Sequence, residues 1–147
     1  MTIHTTHFRN LDNSILYDML QLRSEVFVVE QNCVYQDLDG LDKKAMHSWI
    51  VEDGKMAACS RFFMKNERKK LVQIGRVVVA KDKRHKHYAS YLVQTAMEHS
   101  VREMGARHFY LEAQTYAIPL YERLGFKVCS EEFLEDGIPH VKMECEA

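Results

Sequence analysis

The sequence predicts a mixed α/β fold, a mostly antiparallel central sheet with helices on both faces. Three observations carry that prediction. Residues 48–80 alternate strand-like runs with tight turns. A strongly amphipathic helix begins at Tyr88 and stops at Gly105. A strand, a short helix and further strands follow, so helices and strands interleave along the chain.

Ile3 to Phe8 reads as the first strand. Asp12, Asn13 and Ser14 are N-cap candidates for a helix. Its apolar positions Ile15, Leu16, Met19, Leu20, Val26 and Phe27 keep helical spacing. Gln31 to Asp42 is polar and irregular, with Asp39-Gly40 as a turn signal. Ser48 to Glu52 and Lys55 to Met64 read as strands joined by a tight Asp53-Gly54 hairpin turn. After the charged turn Asn66 to Lys70, Leu71 to Ala80 is a third strand, with high β-propensity at Val77-Val78-Val79.

The helix that follows carries Tyr88, Tyr91, Leu92, Thr95, Ala96 and His99 on one expected face, and Gly105 stops it. Arg107 to Ala113 is a strand. Ile118 to Leu124 is a short helix with Pro119 in its first turn and Gly125 past its end. Phe126 to Cys129 and His140 to Glu144 close the chain as strands.

Composition narrows the function classes. With 147 residues, 46% of them hydrophobic, the chain suits one domain, residues 1–147, around one core. A formal net charge of -1 speaks against a dedicated nucleic-acid binder. The basic runs Lys65 to Lys70 and Lys81 to His87 lack interleaved aromatics and read as solvated turns. The start Met1 to Phe8 has no signal-peptide pattern, and no run is long enough to span a membrane. Cys33, Cys59, Cys129 and Cys145 form no CxxC pair and read as buried thiols of a reducing compartment. His85 and His87 are close, but no cysteine or carboxylate spacing completes a metal site. The expectation is a cytoplasmic protein without metal, membrane or nucleic-acid partners.

Two segments carry chemistry. Val77 to Ala89 runs strand, loop, helix. The unpaired N–H groups and partial positive charge of a helix N-terminus suit an anion, and Lys81, Lys83, Arg84 and Lys86 surround it with charge. Taken alone, the segment reads as a solvated basic loop. The second segment, Phe109 to Phe126, is a strand, a loop and a short helix carrying Tyr121. Alone, Tyr121 reads as a packing residue. The order and separation of the two segments are more specific than either.

Together they resemble the GNAT N-acetyltransferase superfamily. Arg84 and Ala89 hold the first and last places of that family's Arg/Gln-x-x-Gly-x-Gly/Ala loop. Leu120-Tyr121 and Leu124-Gly125-Phe126 match the usual ending of its second segment. Leu22-Arg23, Val26-Phe27-Val28, Glu30-Gln31, the run Tyr35 to Asp42, His47 and Glu135 to His140 resemble the ElaA-type branch, so the likeness covers nearly the whole chain.

The resemblance implies the GNAT fold with splayed central strands and acetyl-coenzyme A as co-substrate. Backbone amides of Arg84, His85, Lys86, His87, Tyr88 and Ala89 would bind the pyrophosphate. Val77 and Val79 would pair with the pantetheine amides where their strand parts from Arg107 to Ala113. Val78 and Gln114 complete that expected site. His87 stands where the family has glycine, and the expectation is that it keeps a helical φ and that coenzyme A binding survives.

The implied reaction is direct acetyl transfer to a primary amine of a small molecule or peptide in a ternary complex, with Tyr121 as general acid. The base is Glu112, His140 or a water chain; an exposed strand carboxylate and a satisfied turn histidine are the plainer readings of the two side chains. In this family the segment after the first helix often covers the acceptor. Glu30, Tyr35, Asp37, Asp39 and Asp42 would then form an acidic rim attractive to a cationic amine, or else be turn residues, with Arg23 pairing one of the carboxylates. Two other readings stay open: an acyl-homoserine-lactone synthase, which shares an Arg-x-x-Val-Phe segment, and a non-catalytic acyl-coenzyme A-binding module. Exposed strand edges leave room for a homodimer.

Overall fold

The computed structural model describes residues 1–147. In chain order it contains β1 (Ile3–His7), α1 (Asn13–Arg23), β2 (Met46–Glu52), β3 (Lys55–Asn66), β4 (Leu71–Val79) and α2 (Tyr88–Met104). There follow β5 (His108–Gln114), α3 (Ile118–Arg123), β6 (Lys127–Val128), β7 (Phe133–Glu135) and β8 (Ile138–Glu146). One sheet holds the strands in the order β1-β2-β3-β4-β5-β8-β6, with β7 also paired to β8. Every pairing is antiparallel except β4 with β5.

Helices cover both faces. On one, Met19, Leu22 and Val26 pack on Cys59 and Val78. On the other, Val93 and Ala96 of α2 join Phe62, Val72, Ile74, Phe109, Leu111 and Phe126 in the main core. No helix is long and apolar enough to cross a membrane.

Local chemistry explains most element ends. The Asp12 carboxylate accepts from Ser14 N–H at 3.0 Å and caps α1. Asp53 and Gly54 both have positive φ, 54° and 74°, which matches the turn twist to the β2–β3 hairpin. Asp136-Gly137 repeats this at 52° and 78° and joins β7 to β8. The sequence reading began that last strand at His140 and did not recognise the second Asp-Gly hairpin.

Three further departures have physical causes. The α-helical part of α1 stops at Arg23, and Ser24–Glu30 continues as a wider π-helical turn. There Gln31 N–H bonds Val26 C=O and Cys33 N–H bonds Val28 C=O, each five residues back. The buried face of α2 is Leu92, Val93, Ala96 and Ser100, one step round from the expected stripe, and Tyr91 is exposed. Finally, Cys129 is exposed and Cys145 half-buried, so only Cys33 and Cys59 are buried thiols.

Strand β4 is not regular. Cys59 faces Val78 but Arg61 faces Gly75, so Ser60 opposes both Arg76 and Val77. This is a β-bulge, and Arg76 takes φ 48° within it. The extra residue changes which face each side chain meets. Val72 and Ile74 lie in the α2-side core, and past the bulge Val77 and Val79 return to that side. Val78 is turned onto α1.

Candidate active site

Strands β4 and β5 pair only at Leu71–His108, Val72–Phe109 and Gln73–Tyr110. Beyond that point β4 keeps only β3, and β5 continues on β8 as far as Gln114–His140. The strands therefore fork, and the β5-facing edge of residues 74–79 has no partner strand. A cleft of about 600 Å³ occupies the fork. Ile74, Val77, Leu111 and Tyr121 line it, as do Glu112, Gln114, Glu135 and His140.

Tyr121 is half-buried and packs edge-on against Phe126 at 6.1 Å between ring centroids. Burial raises its phenol above the ordinary value, so it keeps its proton at neutral pH. Glu112 lies opposite Lys142 in the β5–β8 ladder. His140 is buried, and its Nδ1 lies 2.7 Å from Ile138 C=O. A carbonyl only accepts, so Nδ1 carries the hydrogen and the neutral ring presents its Nε2 lone pair. That Nε2 lies 3.6 Å from Glu135 Oε2. Burial and then the charge of Glu112 raise the Glu135 carboxyl. Sequence reasoning passed over Glu135, although the overlooked Asp136-Gly137 hairpin is what delivers it to the cleft.

The expected coenzyme A loop lies between β4 and α2. His87 has φ 64° and ψ 20°, a left-handed conformation rather than the expected helical one. His85 also has positive φ, 67°. His87 thus takes the backbone shape that glycine supplies without strain. It leads directly into the first turn of α2, where Tyr88 and Ala89 sit with their N–H groups still free of the helix ladder. A left-handed histidine costs about 1 kcal/mol over glycine. His87→Gly is therefore expected to stabilise the fold by about 1 kcal/mol, roughly 3 °C in a thermal melt. A fall in melting temperature would show that the edge contact of His87 with Tyr91 outweighs the strain.

Three of the loop's four side-chain cations are already partnered. The Arg84 guanidinium grips Glu30 at 2.6 and 2.9 Å and donates to Val79 C=O at 3.2 Å. Lys86 pairs with Glu52, which also accepts from Tyr88 Oη at 2.6 Å. Lys83 pairs with Asp53 at 3.2 Å. Beside Glu30, Gln31 exchanges two amide hydrogen bonds with Gln114, at 3.2 and 3.3 Å. The end of the π turn is thereby tied to both prongs of the fork.

The acidic segment after α1 is not an open rim. Arg23 Nε donates to Asp37 Oδ2 at 2.9 Å, and its Nη atoms donate to Asp42 at 2.7 and 3.2 Å. Arg61 donates to Asp39 at 2.8 Å and to Asp42 at 3.1 Å. Tyr35 Oη donates to Asp37 Oδ1 at 2.8 Å. Arg76 completes a network of three arginines and three aspartates. Every carboxylate of the expected rim has an arginine partner.

This network and buried His47 make the fold acid-sensitive. The Arg61 hydrogen bond holds the Asp39 carboxyl well below the usual range. Burial lowers the His47 ring, whose Nε2 donates to Asp42 C=O at 2.9 Å. Both native values are depressed, so the unfolded chain takes up protons first and stability falls with pH. The melting temperature is expected to decline below about pH 6.5 as unfolded His47 protonates, and more steeply below about pH 4. A flat profile between pH 6.5 and 3 would contradict this.

The fork and the helix N-terminus beside it agree with the matching family model, an acetyltransferase (GNAT) domain aligned to residues 15–147. The chain belongs to the GNAT acetyltransferase family. It is similar to UPF0039 protein C11D3.02c of Schizosaccharomyces pombe, 44% identical over 95% of this chain and 93% of that one. It is also similar to Escherichia coli protein ElaA, 36% identical over 93% and 91% of the two chains. The crystal structure of ElaA covers 99% of both chains with a TM-score of 0.91 and 34% identity. That of an acyl-CoA N-acyltransferase from Pseudomonas aeruginosa covers 99% of both, with a TM-score of 0.89 and 35% identity. These likenesses place the chain in the ElaA-type branch of the GNAT superfamily. The acyl-homoserine-lactone synthase LasI shares the fold at a TM-score of 0.75 and 16% identity, over 99% of this chain and 89% of that one.

Proposed function

We propose that this GNAT protein transfers an acetyl group from acetyl-coenzyme A directly to a primary amine. The carrying observation is the fork: β4 and β5 part after three residue pairs, and the resulting cleft is lined by a protonated phenol and by acid–base groups. The fit to coenzyme A rests on backbone rather than side chains. The first-turn N–H groups of α2 suit the pyrophosphate, with left-handed His87 shaping the approach. The unpaired edge of β4 suits the pantetheine amides, and Val77 is better placed than Val79, whose carbonyl already accepts from Arg84.

The acceptor enters as an ammonium and must first lose a proton. The lone pair on His140 Nε2, with the ring oriented by its Nδ1–H bond to Ile138 C=O and with Glu135 3.6 Å from Nε2, is the group we assign as base. The amine nitrogen then forms its bond to the thioester carbon and the carbon–sulfur bond breaks. Tyr121 donates a hydrogen bond to the leaving sulfur, which ends as a thiol by taking up the proton that the nitrogen sheds on becoming an amide. Backbone N–H groups of the open β4 edge stabilise the negative charge that develops on the carbonyl oxygen. Glu112, Glu135 and Asp136 lack arginine partners and supply the attraction for a cationic amine that the paired aspartates of the loop cannot.

The test is thiol release from acetyl-coenzyme A across polyamines, amino acids, aminoglycosides and peptides, with the acetylated product identified by mass. At least one primary amine should turn over. Calorimetric binding of coenzyme A with no release on any amine would leave a binding module. Lactone formed from S-adenosylmethionine and an acyl donor would indicate a synthase. Left-handed His87 speaks against the module, since it takes the backbone shape that glycine supplies without strain.

A further inference from the structure

We propose that Arg76 is a positioning residue for acyl transfer and that Asp37, held by Arg23 and Tyr35, keeps it in place. The inference rests on the acetyl-transfer reading and adds a role for the ion network, three of whose members, Asp39, Arg61 and Arg76, line the cleft.

The argument starts from the bulge. Arg76 has φ 48° in the middle of a strand, where a non-glycine side chain is strained. Without the bulge the register would slip by one, which would reverse the faces of every residue beyond it. Val77, which lines the fork, is the residue immediately past the strained one. Something must hold the bulge in place, and the side chain of Arg76 is tied accordingly. Its Nη2 donates to the backbone carbonyl of Asp37 at 3.0 Å. Its Nε lies 2.8 Å from Asp37 Oδ1, an ion pair without hydrogen-bond alignment. A weaker contact of 3.4 Å reaches Asp39.

Asp37 is in turn immobilised. Arg23 Nε takes its other oxygen at 2.9 Å, and Tyr35 Oη donates to the first at 2.8 Å. Arg23 is 2% exposed on α1. The chain of contacts therefore runs from a buried helix residue, through the loop, to the single β4 residue with positive φ. A network serving stability alone would have no need to end there. Fixing Arg76 fixes the direction of the backbone groups beyond it, where the thioester is expected to lie, and donors aimed in advance are what stabilise charge on its oxygen.

The test uses [1-13C]acetyl-coenzyme A as probe, so no acceptor is required. Calorimetry gives its affinity, and isotope-edited infrared spectroscopy reads the bound thioester carbonyl. In the wild type the band should move to lower frequency than in solution. Arg76→Gly accepts the positive φ but lacks the tie, and Arg76→Lys keeps the charge without the fork. Both should keep affinity within about threefold while the band in Arg76→Gly returns to its solution position, with partial retention in Arg76→Lys. On any amine that the wild type accepts, Arg76→Gly should lose about 100-fold in kcat, the scale of a small misplacement of reacting groups. Arg76 is partly exposed, so both variants should fold, and a thermal melt checks this. An unchanged band and kcat in Arg76→Gly would overturn the positioning role alone. Failure of the wild type to bind the probe at millimolar concentration would overturn the acetyl-transfer reading and this proposal with it.

Discussion

Arg23→Ala is expected to remove about 3–5 kcal/mol of stability, the usual loss when one partner of a buried ion pair is deleted. The guanidinium is 2% exposed and holds Asp37 and Asp42 together. Without it, Asp42 loses its shortest cationic contact and Asp37 the cation on its Oδ2, so Arg61 alone must serve Asp42 and Arg76 alone Asp37. Burial raises the Asp42 carboxyl, and the bonds to Arg23 and then Arg61 more than offset that. Removing the larger of these offsets leaves the burial penalty standing. A domain of ordinary stability holds about 5–15 kcal/mol in reserve, so the variant should be partly unfolded near physiological temperature. Urea denaturation at pH 7.5 measures the change, and a loss below 1 kcal/mol would show the network to be dispensable for the fold. Arg23→Lys should recover only part of the loss, because an ammonium cannot reach both aspartates with a planar fork.

Tyr121→Phe is expected to lower kcat about 100- to 10,000-fold with little change in coenzyme A affinity, the range for loss of a positioned proton donor. Phenylalanine keeps the edge contact with Phe126, so melting should shift by no more than about 0.5 kcal/mol equivalent. The raised value of the phenol means that full proton transfer to an ordinary thiolate is uphill. Its expected contribution is a hydrogen bond that strengthens as charge gathers on sulfur. The loss should then be greatest for acceptors whose reaction is limited by sulfur departure. Rates measured on the best amine from the thiol-release screen decide the matter: unchanged turnover in Tyr121→Phe removes the residue from the mechanism.

How much of this was legible beforehand varied with the range of the interaction. The Asp12 cap, the Asp53-Gly54 hairpin and the Gly105 stop involve neighbouring residues, and reading them in order placed those elements within a few residues. The resemblance of Arg84 to Ala89 and of the Tyr121 segment to GNAT motifs placed the fork and its cleft. The Asp136-Gly137 hairpin carries the same turn signal as the first, and it brings Glu135 to the cleft.

The bulge was different in kind. Leu71 to Val79 has the composition of an uninterrupted strand, and nothing in it announces a left-handed arginine. Arg76 takes that shape through contacts with Asp37 and Asp39, nearly forty residues earlier in the chain. The acidic loop left two readings open, a rim or turn residues with one carboxylate paired to Arg23; the Arg23 pairing is found, and the further partners Arg61 and Arg76 lie far off in sequence on β3 and β4.

The amino-acid sequence by itself thus determined the order of strands and helices, the local caps and turns, and the family to which the chain belongs. These depend on periodicity, propensity and short motifs, all of which act within a few residues. The tertiary structure alone decided the left-handed φ of His87 and Arg76, the pairing of the loop aspartates and the meeting of Glu135 with His140. The physical reason is that a strained backbone or a buried charge is tolerated only where distant groups compensate it, and those groups become neighbours only when the sheet has formed.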